Sequence, residues 1–116
     1  LVGGTNSSTE ITNSYATGRV TGRDHTGGLV GRASGSISNS YATGSVTGTS
    51  YTGGLVGSDD GSTVTNSYWD KDTTDQTKSA GGSGKSTEEM KTKETYKDWD
   101  FDEIWQINEG SYPTLR

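Results

Sequence analysis

The stretch SISNSYATGSVTG at Ser36–Gly48 repeats EITNSYATGRVTG at Glu10–Gly22, and equivalent residues lie 26 positions apart. A third, shorter copy, TVTNSYWDKDT, begins at Thr63. A second phrase, GGLVG, occurs at Gly27–Gly31 and again 26 residues later at Gly53–Gly57. A fixed period of this length is the sequence signature of a repeat protein.

Each period contains three short candidate strands, around Ile37–Ala42, Ser45–Thr47 and Leu55–Val56, with glycine between them and no helical periodicity. The pattern predicts an all-β fold, a short parallel β-solenoid of the β-helix type with coils of about 26 residues. Equivalent residues of adjacent coils would then stack about 4.8 Å apart. The predicted ranks are Asn13, Asn39 and Asn66; Tyr15, Tyr41 and Tyr68; Val20 and Val46; and Leu29 and Leu55.

Two orientations are open for the segment ISNSYA. Strict alternation places Ile37, Asn39 and Tyr41 on one face, but a buried amide and a buried phenol both require hydrogen-bond partners. In the alternative, Asn39 occupies a corner in the left-handed region, which asparagine tolerates well. Ile37, Ser40 and Ala42 then point inward and Tyr41 lies outside, and this second orientation is preferred. Stacked asparagine amides are expected to form a hydrogen-bonded ladder.

The composition limits the classes of function. Only 25% of the 116 residues are hydrophobic and 18 are glycine, a composition close to that of disordered chains, so the repeats carry the argument for a fold. The net charge of −5 disfavours nucleic acid and anionic lipid as partners. No apolar run approaches the roughly 20 residues that span a bilayer, so no membrane insertion is expected. Cysteine is absent, which excludes disulfides.

The combination of GGLVG with NSYATGSVTG resembles the GLUG motif, a repeat of large bacterial and archaeal surface proteins. These include filamentous-haemagglutinin-like adhesins and some immunoglobulin-A peptidases, in which the repeat is accessory. The resemblance covers roughly residues 1–70 and implies a secreted or surface-attached repeat region without a catalytic centre. The later segments STEEMK, WDFDEIW and YPTLR resemble the sequence that often follows the last such repeat.

Two regions are predicted within one folded unit, with repeats over residues 1–70 and a C-terminal α+β cap over residues 71–116. Lys71–Lys85 is polar and rich in serine and glycine, which is typical of an exposed loop. Ser86 or Thr87 can cap a helix of about ten residues. The alternation in FDEIWQI indicates a strand. A lid of this kind would cover the open edge of the last coil.

The candidate chemical residues are few. His25 is the only histidine and reads as an exposed loop residue, because metal and triad sites need several converging groups. DKDTTD at Asp70–Asp75 does not fit an EF-hand, and GGSGKS at Gly81–Ser86 lacks the spacing of a phosphate loop and reads as a flexible linker. No cofactor and no catalytic residue is assigned. A looser calcium site is left open among Asp59, Asp60, Asp70 and Asp72.

The sequence therefore predicts a non-catalytic structural or adhesive repeat module of an extracellular or cell-surface protein. Its expected partners are glycans or proteins on a host or neighbouring cell. Since Leu1–Gly4 begins within the motif, neighbouring repeats or another domain are expected at the N-terminal end. One alternative is a carbohydrate-binding module with Tyr15, Tyr41 and Tyr68 as glycan contacts. Another is a self-assembling filament subunit, because open solenoid ends can dock on each other.

Overall fold

The computed structural model describes all 116 residues, and its first 70 residues form three stacked coils of short strands. The strands of the first coil are β1 (Val2–Gly4), β2 (Glu10–Thr12), β3 (Tyr15–Ala16) and β4 (Val20–Thr21). Those of the second are β5 (Asp24–Gly27), β6 (Val30–Ala33), β7 (Ser36–Ser38), β8 (Tyr41–Ala42) and β9 (Val46–Thr47). Those of the third are β10 (Ser50–Gly53), β11 (Val56–Asp59), β12 (Thr63–Thr65) and β13 (Tyr68–Asp70).

All pairing between these coils is parallel and in register, which confirms the predicted β-solenoid. The sheets run in the orders β1-β6-β11, β2-β7-β12 and β3-β8-β13, with two-stranded sheets β4-β9 and β5-β10. Tyr15 pairs with Tyr41, Tyr41 with Tyr68, and Val20 with Val46. The amide of Leu29 donates to the carbonyl of Leu55 at 2.9 Å, and both side chains are fully buried. Residues with matching letters are therefore neighbours in space.

A complete coil has five strands rather than the three expected. The strand expected at Ile37–Ala42 is divided into Ser36–Ser38 and Tyr41–Ala42. The strand Asp24–Gly27, with its partner Ser50–Gly53 in the third coil, was not predicted. Asp24–Gly27 and Ser50–Gly53 show no apolar alternation, because the residues that they bury are threonine and glycine. The strand expected at Leu55–Val56 lies at Val56–Asp59.

Asparagine occupies a corner of every coil, as the preferred orientation predicts. Asn13, Asn39 and Asn66 have φ of 50°, 50° and 46°, in the left-handed region. Beyond this corner the side chains change parity, so Ala42 faces the interior while Tyr41 lies outside it.

The expected ladder of asparagine amides is wrong. Oδ1 of Asn39 is buried without any hydrogen-bond partner. The lateral contact is made by the next residue instead. The amide of Ser14 donates to Oγ of Ser40 at 3.2 Å, and the amide of Ser40 donates to Oγ of Ser67 at 3.3 Å. Serine, the residue that follows each asparagine, therefore makes the side-chain hydrogen bond between coils.

Residues 71–116 add two short helices, three strands and many turns. Their elements are α1 (Lys71–Thr74), β14 (Ser83–Lys85), α2 (Thr87–Met90), a 3₁₀ turn (Lys93–Thr95), β15 (Trp105–Gln106) and β16 (Thr114–Leu115). The ten-residue helix expected from Thr87 is therefore only one turn followed by a 3₁₀ turn. The strand expected in FDEIWQI is limited to β15, which pairs antiparallel with β16.

The predicted exposed loop at Lys71–Lys85 is wrong in part, because it continues the solenoid. Strand β14 pairs in parallel with β13, and the amide of Ala80 donates to the carbonyl of Val56 at 3.0 Å. The glycines read as a flexible linker are required by close packing, since a Cβ on Gly84 would lie 2.8 Å from the indole of Trp69. The division of the chain at residue 70 stays a prediction.

Two buried apolar clusters hold the molecule together. The first lies inside the coils and comprises Leu29, Val30, Ala33, Ile37, Ala42, Leu55, Val56 and Trp69. The second lies between the outer face of the solenoid and the C-terminal third and comprises Tyr41, Met90, Tyr96, Trp99 and Trp105. No helix in the structure combines the length and the apolar character needed to cross a bilayer.

Candidate functional site

Two rings of the tyrosine rank, those of Tyr15 and Tyr41, are stacked as predicted, whereas the ring of Tyr68 contacts Tyr96 and Trp99, and the rank is covered by protein. The rings of Tyr15 and Tyr41 are 5.1 Å apart and inclined by 9°. Tyr41 is only 1% exposed, because the rings of Trp99, Trp105 and Tyr112 each lie about 6 Å from its own. Burial raises the pKa of Tyr41.

The assignment of Tyr41 as a glycan contact is therefore wrong, and that of Tyr15 and Tyr68 stays a prediction. Tyr41 is buried, and Tyr15 and Tyr68 are half-buried against the same C-terminal residues. The outward direction of these rings could be predicted from the repeat. The burial of these rings could not, because residues outside the repeat pattern cover them, and those that cover Tyr15 and Tyr41 are more than 50 positions away.

Asp70 is the centre of a buried polar cluster where the solenoid meets the C-terminal third. Its carboxylate caps α1 by accepting from the amides of Asp72 and Thr73, and it also accepts from the hydroxyls of Thr87 and Tyr112. Burial works to raise the pKa of Asp70, but these four hydrogen bonds outweigh it and hold the pKa below its ordinary value of 3.8. Burial and the hydrogen bond to Asp70 raise the pKa of Tyr112 to about 12.

The hydrogen bonds of this cluster hold segments of the chain together, and the cluster is not suited to proton transfer. A general acid or base near neutral pH needs a pKa moved toward 7 and a free position for substrate. The carboxylate of Asp70 is fully buried, has its oxygens occupied by donors, and has a lowered pKa. Its four donors belong to α1, α2 and the C-terminal segment, so it ties three pieces of chain to the last coil.

The structure does not assemble the calcium site left open in the sequence analysis. Asp59 accepts hydrogen bonds from the amide and hydroxyl of Ser62, and Asp60 pairs with Arg32 at 3.2 Å. Asp70 and Asp72 belong to the other cluster, where Asp72 accepts from the amide of Thr87. No group of three or more histidine, cysteine or acidic side chains is arranged to hold a metal ion.

His25 is not an isolated loop residue, because it stacks on an aromatic residue that the sequence analysis did not single out. Its ring lies 4.9 Å from that of Tyr51 with 10° between the planes. The two residues are 26 positions apart, and their neighbours pair directly, Ser50 with Asp24 and Thr52 with Thr26. The period of 26 would have revealed the pair had it been applied to every aromatic residue. We call His25 and Tyr51 the aromatic corner.

The aromatic corner has an unusual backbone. His25 and Tyr51 have φ of 53° and 49°, and left-handed conformations are uncommon for residues with bulky side chains. The last glycine of each GGLVG copy, Gly31 and Gly57, allows its strand to approach the backbone of the aromatic corner. A Cβ on Gly31 would collide with the carbonyl oxygen of His25, and one on Gly57 would lie 2.6 Å from that of Tyr51. The phrase GGLVG therefore supports this corner as well as the apolar interior.

A surface groove of about 540 Å³ runs over the second apolar cluster. Its walls are Lys93, Glu94, Tyr96, Lys97, Trp99, Phe101 and Asp102. Tyr96 and Trp99 are 1% and 6% exposed, so they present little of their rings to the groove. Lys93 lies over the remaining ring, with its Nζ 5.3 Å from the centroid of Phe101. The groove thus offers mainly charged side chains of both signs.

Comparison with known proteins places a motif on the second coil. Residues 22–47 match the family model described as the GLUG motif. The chain is also 44% identical over 114 residues to a protein of Evansella cellulosilytica provisionally described as a Gly-rich membrane protein. That alignment covers 95% of this chain but only 11% of the relative. No solved structure matches the chain. Residues 22–47, which lead from the end of β4 to the end of β9, are a GLUG motif, and the chain is a repeat protein that carries this motif as one coil of a β-solenoid.

Proposed function

We propose that this chain is a non-catalytic structural repeat module, with an adhesive surface, of an extracellular or cell-surface protein. The observation that carries the proposal is the parallel, in-register stacking of successive coils. The interior apolar residues of each coil pack against those of the adjacent coils, so the stack resists bending and presents equivalent residues at regular intervals.

Features beyond the stacking support this role. The E. cellulosilytica relative is far longer than the chain and is described as a membrane protein, which agrees with a repeat segment of a long surface protein. The net charge of −5 agrees with glycans or proteins as partners on a host or neighbouring cell, and not nucleic acid. The absence of a catalytic role is supported by Asp70, whose carboxylate is buried and fully hydrogen-bonded.

Rigidity is testable by distance measurements between spin labels. The chain has no cysteine, so the exposed residues Ser7 and Asp102 can be replaced by cysteine and labelled specifically. We expect one narrow distance distribution between the first coil and the C-terminal third. The variant Leu55→Ala, which leaves a cavity in the interior, is the control and should broaden it. A broad distribution in the parent chain would contradict a rigid module.

The non-catalytic part of the proposal has its own test. The chain is incubated with neutral and acidic polysaccharides and with denatured protein, and new reducing ends and new amino termini are measured. We expect neither to increase over a heat-unfolded sample. A reproducible increase over the heat-unfolded sample would identify an enzyme and overturn this part.

A further inference from the structure

The side chain of Tyr51 is placed where a ligand can reach it. Of the six tyrosines, the other five are buried or half-buried, whereas Tyr51 is 65% exposed. His25 covers one face of its ring. The exposed surface therefore belongs to the opposite face and the edges of the phenol ring. A flat aromatic face open to solvent on a rigid sheet is the basic element of a stacking site.

The backbone conformation argues that the aromatic ring is not there for stability. Other left-handed corners of the coils use asparagine, at residues 13, 39 and 66, or glycine, at residues 35 and 61. Both residue types adopt this conformation at lower cost than an aromatic residue does. Strain kept at an exposed position points to a function that requires the side chain.

The ring is also held in place before any ligand arrives. Nδ1 of His25 is 2.7 Å from Oγ of Ser58, which fixes the imidazole against the neighbouring strand. The imidazole in turn supports Tyr51, whose flanking residues Ser50 and Thr52 are paired in the β5-β10 sheet. A site that is already ordered loses little conformational entropy on binding.

We infer that the aromatic corner is a carbohydrate-binding site in which a hexose ring of a neutral, β-linked glucan stacks on the open face of Tyr51. The inference deepens the proposed function by giving the adhesive surface a ligand class. In β-linked glucose all ring substituents are equatorial, so both faces of the sugar are flat C–H surfaces that match an aromatic face. Polar residues adjoin the aromatic corner and could meet the sugar hydroxyl groups: Asp24 and Ser50 precede His25 and Tyr51 and pair with each other, and Ser58 contacts His25.

Charge selects a neutral glycan over an acidic one. Asp24 is exposed beside His25, and Asp59 and Asp60 follow Ser58 on the next strand. Arg32, which pairs with Ser58 across the sheet, is engaged by Asp60 at 3.2 Å. Arg23 is exposed next to Asp24, so charges of both signs lie beside the corner, and it is the net charge of −5 on the whole chain that disfavours uronic acid polymers.

The test is binding of cellohexaose and laminarihexaose to the complete chain, measured by saturation-transfer NMR and by titration of backbone amide shifts. We expect transfer to the sugar C–H protons and shift changes around residues 24–26, 50–52 and 58. Oligogalacturonate is the acidic comparison and should bind more weakly. No binding of either neutral probe, or equal binding of oligogalacturonate, would overturn the inference.

Three variants distinguish an effect of the Tyr51 ring on binding from an effect of a disturbed fold. Tyr51→Asn removes the ring but suits the left-handed backbone, so it should weaken binding about tenfold while leaving the unfolding midpoint unchanged or higher. Tyr51→Phe keeps the ring and should keep most of the affinity. Leu115→Asn alters another exposed apolar side chain, outside the corner, and should bind like the parent chain. Unchanged binding by Tyr51→Asn would overturn the inference, whereas failure of the proposed rigid module would show only in the spin-label distances.

Discussion

Asn39 shows how one residue can set the direction of a coil without making a side-chain hydrogen bond. Its φ of 50° reverses the parity of the strand, so that Ile37 and Ala42 both point inward although they are five positions apart. Its Oδ1 is buried and has no partner. The role of the residue is therefore conformational, and the same holds for its equivalents Asn13 and Asn66.

Substitution of Asn39 should follow backbone preference and not hydrogen bonding. Asn39→Ala should lower the free energy of unfolding by about 1 kcal/mol, since alanine adopts the left-handed region poorly. Asn39→Gly should stay within about 0.5 kcal/mol of the parent chain, because glycine adopts it freely but loses more entropy on folding. Urea denaturation followed by tryptophan fluorescence measures both. Equal losses in the two variants would show that the amide itself contributes.

At the scale of strands, glycine decides how closely consecutive coils approach. Gly18 and Gly44 occupy the same position of the repeat, each after the residues YAT. A Cβ on Gly44 would collide with the carbonyl oxygen of Gly18, whereas a Cβ on Gly18 would meet nothing within 4 Å. The same sequence context therefore gives different packing. A Cβ on Gly44 would face the first coil, whereas a Cβ on Gly18 would face no other coil of this structure.

This pair gives a matched experiment on coil packing. Gly44→Ala should destabilise the chain by about 2 kcal/mol, because a backbone atom must move to admit the methyl group. Gly18→Ala should change the free energy of unfolding by less than about 0.5 kcal/mol. Thermal unfolding monitored by circular dichroism compares them. If both substitutions are neutral, the coils are less closely packed than the structure has them.

The short helices α1 and α2 depend on Asp70 because its carboxylate binds residues at both of them. Asp70→Asn should cost about 2 kcal/mol at neutral pH, since the amide cannot accept from all four donors. The pKa of Asp70 is lowered by folding, so the stabilisation is present above its ordinary value of 3.8 and is lost as the pH falls through the folded value. The difference in the free energy of unfolding between Asp70→Asn and the parent chain should therefore become smaller in acid. A gap that is constant with pH would contradict this account.

Tyr112, in the same cluster, should make the chain less stable at high pH, whereas Asp70 makes it less stable at low pH. Folding raises the pKa of Tyr112 from 10.0 to about 12, so its contribution is complete below pH 10 and is lost as the pH rises toward 12. Thermal unfolding midpoints are measured below and above pH 10. The fall in midpoint between the two should be smaller in Tyr112→Phe than in the parent chain. Burial also raises the pKa values of Tyr41, Tyr68 and Tyr96, so some sensitivity to alkali should persist in the variant.

At the scale of the whole molecule, the solenoid and the C-terminal third share a buried aromatic surface. Trp99 donates from Nε1 to the carbonyl of Asn66 at 2.8 Å, and Tyr41 donates from its hydroxyl to the carbonyl of Pro113. The outer face of the coils is thus tied to the end of the chain. Segments 78–80 and 83–85 meanwhile continue the stack.

Removal of residues 87–116 should expose this surface. The truncated chain keeps β14 but loses Met90, Tyr96, Trp99 and Trp105 of the second cluster. We expect it to bind a hydrophobic dye and to unfold at lower urea than the complete chain, because large aromatic side chains contribute much of the burial. Trp69, the remaining tryptophan, reports on the interior of the coils. A truncated chain of full stability without dye binding would show that the solenoid does not need this cover.

The repeat made the stacked ranks, the corner asparagines and the inward residues predictable, because each coil gives the same information again. Ser50–Gly53 and Ser83–Lys85 were not predictable, since neither strand buries an apolar side chain that would give it a pattern. The cover on Tyr41 depends on contacts across more than 50 positions. The contact between His25 and Tyr51 was predictable from the sequence, because the two residues are 26 positions apart, which is the period of the repeat.

The in-register pairing of β6 with both β1 and β11 has an evolutionary consequence. The second coil meets its two neighbours through matching positions, so its 26-residue unit can be duplicated or deleted in the gene without creating a mismatched junction. Each such event would change the height of the stack by one strand spacing, about 4.8 Å. Gain or loss of one coil is thus a simple way for the length of the stack to change during evolution.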